Sequence, residues 1–123
     1  RCALFTNPSF PQGAIECRMG WGDLADAPFE LVTHMGNATR CKPDATYYLE
    51  QLQMMGLEPH EVLMVGNDPK RDFPSPACGI QTAYVGQGKP GRATWHGTME
   101  DFARNFNAVV EAFYEHQVAN ELS

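Results

Sequence analysis

The chain has 123 residues, 43% hydrophobic and 20% charged, enough for one domain with a single core and an ordinary balance for a soluble globular protein. Its formal net charge of −6 argues against a nucleic-acid or anionic-membrane surface, either of which needs basic patches, but leaves room for a small anion at one locus. No apolar run approaches the roughly 20 residues of a membrane span, and no signal-peptide pattern opens the chain, so a cytoplasmic location is expected.

The first predicted strand is CALFT, residues 2–6, and a weak helical pattern follows over residues 11–20. WGDLADAP, with Asp23 and Asp26, reads as a solvated loop. A second strand, FELVTH, covers residues 29–34. The clearest helix covers residues 44–56 and sets Tyr48, Leu49, Leu52 and Met55 on one face, with Asp44 to cap its start and Gly56 to close its end. VLMVG, residues 62–66, is a third strand, and a short helix begins near Pro76 and stops at Gly79. IQTAYVG, residues 80–86, is a fourth strand and runs into the loop GQGKPGR. Gly86, Gly88 and Gly91 there match G-x-G-x-x-G literally, but Pro90 interrupts and no helix opens, so it reads as a flexible loop. Thr98 caps a long final helix that buries Phe102, Phe106, Val109, Val110 and Phe113 on the sheet. Strand alternating with helix predicts a doubly wound, Rossmann-like α/β fold, a parallel sheet with helices on both faces.

In such a fold, ligands bind beyond the carboxyl ends of the strands. The residues leaving those ends are Thr6 and Asn7, then His34, then Asn67 and Asp68, and Lys42 stands just before the main helix. Asp68 and Asp72, four apart, repel unless a cation lies between them. Mg2+ suits them, because it takes one or two carboxylates, keeps several waters and leaves positions for phosphate oxygens. Thr6 and Asn7 can donate to a phosphoryl oxygen, and Lys42 can neutralise charge as the phosphoryl group moves. Plainer readings stand beside these: a solvated helix approach for Lys42, a turn and a helix-start charge for Asp68 and Asp72, and a simple turn for Thr6 and Asn7. The four histidines (His34, His60, His96, His116) are scattered, and Tyr47, Tyr48, Trp21 and Trp95 read as packing residues. The four cysteines (Cys2, Cys17, Cys41, Cys78) are widely spaced without C-x-x-C, which predicts buried free thiols and neither a zinc site nor a disulfide framework.

ALFTNPSFP, CKPDATYYLEQL and VLMVGNDPKRDF, in that order and spacing, resemble the second, third and fourth signatures of the haloacid dehalogenase (HAD) superfamily. The resemblance implies a magnesium-dependent hydrolase of small phosphate esters that works through an aspartyl-phosphate. It implies that Thr6 holds the phosphate, Lys42 neutralises it, Asp68 binds the metal, and Asp72 orients Lys42 or a metal-bound water. Asn67 stands where some members carry a further acidic residue. The family's first signature, D-x-D-x-[TV], supplies the nucleophile and the acid–base, and it is absent here; Asp23 and Asp26 have the wrong spacing. Residues 1–123, opening on Arg1, therefore look like the C-terminal part of a HAD-like core domain without nucleophile motif or cap, inactive alone. The alternative is a non-catalytic α/β module that binds phosphate or a partner. Dehalogenase chemistry also stays open, and the substrate is not readable because the cap largely selects it.

In the family the nucleophile strand lies between the threonine strand and the acidic strand. Without it, two strand edges lose their partners, which is costly. Either those strands close up, or the gap is filled by the missing N-terminal segment or by a second copy. The isolated chain is accordingly expected to be weakly stable or to associate; a monomer unfolding sharply, reversibly and independently of concentration would contradict this.

Overall fold

Two parallel ladders carry the chain. In the computed structural model, residues 1–122 are described, with side chains through residue 119, and they divide into two units, Arg1–Gly56 and a second beginning at Leu57. Among the described residues no helix is long and apolar enough to cross a membrane.

The first unit runs β1 (Ala3–Leu4), α1 (Gln12–Trp21), β2 (Leu31–Val32) and α2 (Ala45–Met55). β1 and β2 are parallel, with Ala3 opposite Leu31 and Leu4 opposite Val32, and backbone bonds from Glu30 to Cys2 and from Thr33 to Leu4 extend the pairing. α2 starts where the Asp44 carboxylate accepts the Thr46 N–H at 2.8 Å, and it ends at Gly56, whose φ of 71° is a left-handed cap. Its buried face is Tyr47, Tyr48, Gln51 and Leu52. The face is rotated from the one predicted, and Leu49 is 44% exposed. Tyr47 causes the rotation: its ring packs edge-on to Phe5 and to Tyr48, at 5.8 and 5.1 Å between centroids. Trp21 is 82% exposed and so is not the packing residue expected. Asp23 and Asp26 lie exposed in the turns after α1, as a solvated loop should.

The second unit holds β3 (Leu63–Gly66), β4 (Gln81–Val85), β5 (Trp95–Gly97), α3 (Met99–Arg104) and α4 (Phe106–Leu122). Its strands are all parallel in the order β3-β4-β5, with Gly66 opposite Tyr84 and Ala83 opposite Trp95. β4 is central and buried from Thr82 to Val85, as its apolar run predicts. β5 is not foreseen, because Trp95, His96 and Gly97 form no apolar run; pairing with β4 makes it a strand. The predicted final helix is broken at Asn105, whose backbone N–H and side-chain amide both donate to the Asp101 carbonyl, at 2.9 and 2.8 Å. The side-chain amide shares that carbonyl with the backbone N–H, and Asn105, with φ −103° and ψ 14°, caps α3 instead of continuing it. Val109 is buried as predicted, but Phe106, just past the break, is 49% exposed.

Two further expectations are corrected. The four expected strands of one sheet are five strands in two ladders; β1 pairs with β2 and β3 with β4, and β1 and β3 each keep one edge without a hydrogen-bonded strand among the described residues. The thiols are free, but Cys2, Cys17 and Cys41 are exposed, and only Cys78 is partly covered, where burial pushes its thiol pKa up. The rotated α2 face gives a direct test. Leu52→Ala should destabilise by about 2–5 kcal/mol in urea unfolding, and Leu49→Ala by about 0.5 kcal/mol or less.

Candidate functional site

In each unit the residues with chemical potential follow the carboxyl end of a parallel strand, and a buried polar group pins them there. β1 leads to Thr6, whose backbone and hydroxyl are locked to Thr33, the residue just past β2. The Thr6 N–H donates to Thr33 Oγ1 at 2.6 Å, the Thr33 hydroxyl donates to the Thr6 carbonyl at 2.9 Å, and Thr6 Oγ1 donates to the Thr33 carbonyl at 2.9 Å. From α2, the Tyr47 hydroxyl donates to the Thr6 carbonyl at 2.6 Å and lies 2.9 Å from Thr33 Oγ1. Thr33 and Tyr47 are both fully buried. A hydroxyl has one proton to give, and that of Thr6 is directed at Thr33 rather than outward.

Asn7 is arranged differently. Its Oδ1 accepts the backbone N–H of Lys42 at 3.0 Å, across 35 residues of sequence, which fixes the amide's orientation. The Asn7 Nδ2 donates to no described residue and is the outward-facing donor of this loop. Lys42 precedes a cis peptide to Pro43, is half-exposed, and stands two residues before the Asp44 cap of α2. The structure thus brings Thr6, Asn7 and Lys42 together. His34 instead shapes the turn after β2: its N–H donates to Asn37 Oδ1, and its Nδ1 accepts from Gly36.

In the second unit, Gly66 ends β3 and the chain turns through Asn67 and Asp68. Asp72 is the pin: it is 6% exposed, and its Oδ2 accepts the N–H groups of Asn67 at 3.0 Å and Asp68 at 2.8 Å. Asp68 folds the same turn from outside, its Oδ1 accepting from Lys70 at 3.0 Å and Arg71 at 3.2 Å. Asp68 Oδ2 has no protein partner among the described residues. Gly66 is needed for close approach, because a Cβ there would stand 2.6 Å from both Cβ and Oδ2 of Asp72. The loop is braced from the far side by Gly91, whose φ is 58° and whose added Cβ would meet the Pro69 carbonyl at 2.9 Å.

Among the described residues no cluster of three His, Cys, Asp or Glu could hold a metal. The donor set of this loop nevertheless fits magnesium in part. One carboxylate oxygen on Asp68 is uncommitted, Asn67 is exposed beside it, and Mg2+ keeps several waters while taking only one or two protein carboxylates. Asp72, engaged by two backbone donors, positions the loop.

Sequence reasoning missed three residues here: Thr33, Tyr47 and Gly66. Thr33 carried a signal, since it leaves β2 as Thr6 leaves β1, but nothing in the sequence says that the two side chains face each other. Tyr47 was read as packing, and its ring does pack; the hydroxyl's target is a tertiary fact. Gly66 predicts a measurable cost. Gly66→Ala should displace the Asp72 carboxylate, leave two backbone N–H groups unpaired and destabilise by about 2–4 kcal/mol, against about 1 kcal/mol or less for Asp68→Ala. Equal losses in urea unfolding would contradict the role given to Asp72.

No family model and no curated protein matches the chain. Among solved structures, the crystal structure of a HAD phosphatase from Thermococcus onnurineus matches with a TM-score of 0.65 at 20% sequence identity, covering 85% of this chain. The chain spans 49% of the length of that neighbour. The parallel strands, the helices and this likeness together give a HAD-like, Rossmann-type α/β fold.

Proposed function

We propose that this chain is the phosphate-holding and metal-holding share of a magnesium-dependent HAD-like hydrolase acting on a small phosphate ester. The observation that carries the reading is the bond from the Lys42 N–H to Asn7 Oδ1, which ties the loop after β1 to the residue before α2 and leaves the Asn7 amide donor outward. A cation beside an outward N–H donor is what a phosphoryl group needs, since its transfer depends on positioning and charge stabilisation. In this reading, Thr6 and Asn7 hold the phosphoryl oxygens and Lys42 neutralises them. Asp68, through its uncommitted Oδ2, holds the metal with Asn67, and Asp72 keeps that loop in place. Magnesium, when bound, would offset charge on the phosphate oxygens and orient them.

The attacking aspartate is not among these motifs, so the chain is inactive alone. A segment outside these residues would supply the nucleophile strand, along the edge of β1 or β3 that has no hydrogen-bonded strand among the described residues; a second copy, which lacks the motif as well, would only fill that edge. The free thiols support a reducing compartment such as the cytoplasm.

One observation favours a second reading, a non-catalytic module that binds phosphate or a partner. The Thr6 hydroxyl is already bonded to Thr33, so it must rotate before it can serve a phosphate. Two measurements test these readings, the first asking whether the nucleophile is absent and the second whether the loop holds a metal. The chain alone should hydrolyse p-nitrophenyl phosphate with magnesium no faster than Asp68→Asn does; clear turnover lost in that variant would mean that the nucleophile lies within these residues. Mn2+ should broaden the amide signals of residues 67–72 in the wild-type chain and not in Asp68→Asn; no broadening would favour the non-catalytic module.

A further inference from the structure

A cleft of about 410 Å³ lies in the second unit, lined by Pro76, Ile80, Thr82, Arg92, Thr94 and His116 among others. Gln81 and Thr82 open β4, so the cleft sits at the amino end of that strand. The candidate metal loop follows Gly66, which pairs with Tyr84 toward the strand's other end, roughly 10 Å away at about 3.3 Å per residue. The two places are distinct.

The polar lining of the cleft sorts into engaged and open groups. Thr94 Oγ1 donates to the Thr82 carbonyl at 2.7 Å, the Thr94 N–H donates to Thr82 Oγ1 at 3.2 Å, and the Gln81 amide donates to the Phe113 carbonyl at 3.1 Å. That leaves Arg92 and His116, neither of which bonds a described residue. No carboxylate lines the cleft among the described residues, although the chain as a whole carries a net charge of −6. A guanidinium without a carboxylate, in a chain with an excess of them, is poised for an external oxyanion.

Arg92 is also held in place by its neighbours. Gly91 is wedged against Pro69, the Ala93 N–H closes a turn on the Pro90 carbonyl at 3.1 Å, and Thr94 is tied to Thr82. Anchors on both sides reduce the ordering cost of binding. Pro74, Pro76 and Ile80 form an apolar wall beside the two cationic groups.

We infer that this cleft is a second ligand site, separate from the candidate metal loop, for a small organic oxyanion with an apolar body, its carboxylate or phosphate taken by Arg92 and His116. Guanidinium binds both groups with two parallel hydrogen bonds, so the shared chemistry is a pair of anionic oxygens on one atom. The test is a titration of the full chain, without metal, followed by amide NMR with three probes: benzoate, phenyl phosphate and inorganic phosphate. Benzoate or phenyl phosphate should shift the amides of Arg92, Thr94 and His116 saturably, and the tighter of the two identifies the head group. Inorganic phosphate should bind this cleft more weakly, for lack of an apolar body. Arg92→Gln should weaken binding by about tenfold or more, whereas Asp68→Asn should leave it unchanged. Both Arg92 and His116 are exposed, so Arg92→Gln and His116→Gln keep the fold, which unfolding curves would verify. The inference is overturned if neither organic probe gives saturable shifts at these amides, if affinity is unaltered in both variants, or if inorganic phosphate binds there as tightly as phenyl phosphate.

Discussion

The hydroxyl of Tyr47 reaches from the buried face of α2 to the carbonyl of Thr6, two residues beyond β1, and the arrangement of the first unit depends on that contact. A fully buried phenol must find a partner, since an unpaired one costs about 1–3 kcal/mol. Its partners here are the Thr6 carbonyl and the Thr33 hydroxyl, so the two strand ends and α2 are clamped at one point. With Thr6 fixed, Asn7 falls where its side-chain oxygen meets the Lys42 N–H. The second unit uses the same device with a different group: the buried Asp72 carboxylate collects two backbone donors and holds Asp68 at the end of β3. In both cases a buried polar group does the holding, and a partly exposed neighbour, Asn7 or Asp68, keeps a group open.

Reading the residues in order recovers much of this and misses what tertiary contact decides. Asp44, Gly56 and Thr98 act as the caps they resemble, because capping is local chemistry between a side chain and the next turn of backbone. β4 is plain from its apolar run, and β5 is not, because it owes its strand state to β4. Thr6, Asn7, Lys42, Asn67, Asp68 and Asp72 could be singled out from their position after strands and before a helix. Their internal division of labour could not: the sequence does not say that Asp72 faces backbone N–H groups while Asp68 keeps an oxygen open, nor that Thr6 turns inward and Asn7 outward. Those distinctions rest on Thr33, Tyr47 and Gly66, whose contributions depend on which atoms the fold sets opposite them.

Among the described residues β1 and β3 each have one edge without a hydrogen-bonded strand, and those edges bear on the proposed chemistry. A parallel strand with an open edge presents unsatisfied backbone groups, and proteins rarely leave such an edge bare.

The most direct test of the central claim, that Asn7 couples the β1 loop to Lys42 in a phosphate-binding arrangement, is an orthophosphate titration followed at the Lys42 amide in the wild-type chain and in Asn7→Ala. The account predicts saturable shifts at Thr6, Asn7 and Lys42 in the wild type, and affinity lower by about tenfold in the variant. Shifts that spare Lys42, or that persist with unchanged affinity in Asn7→Ala, would contradict it.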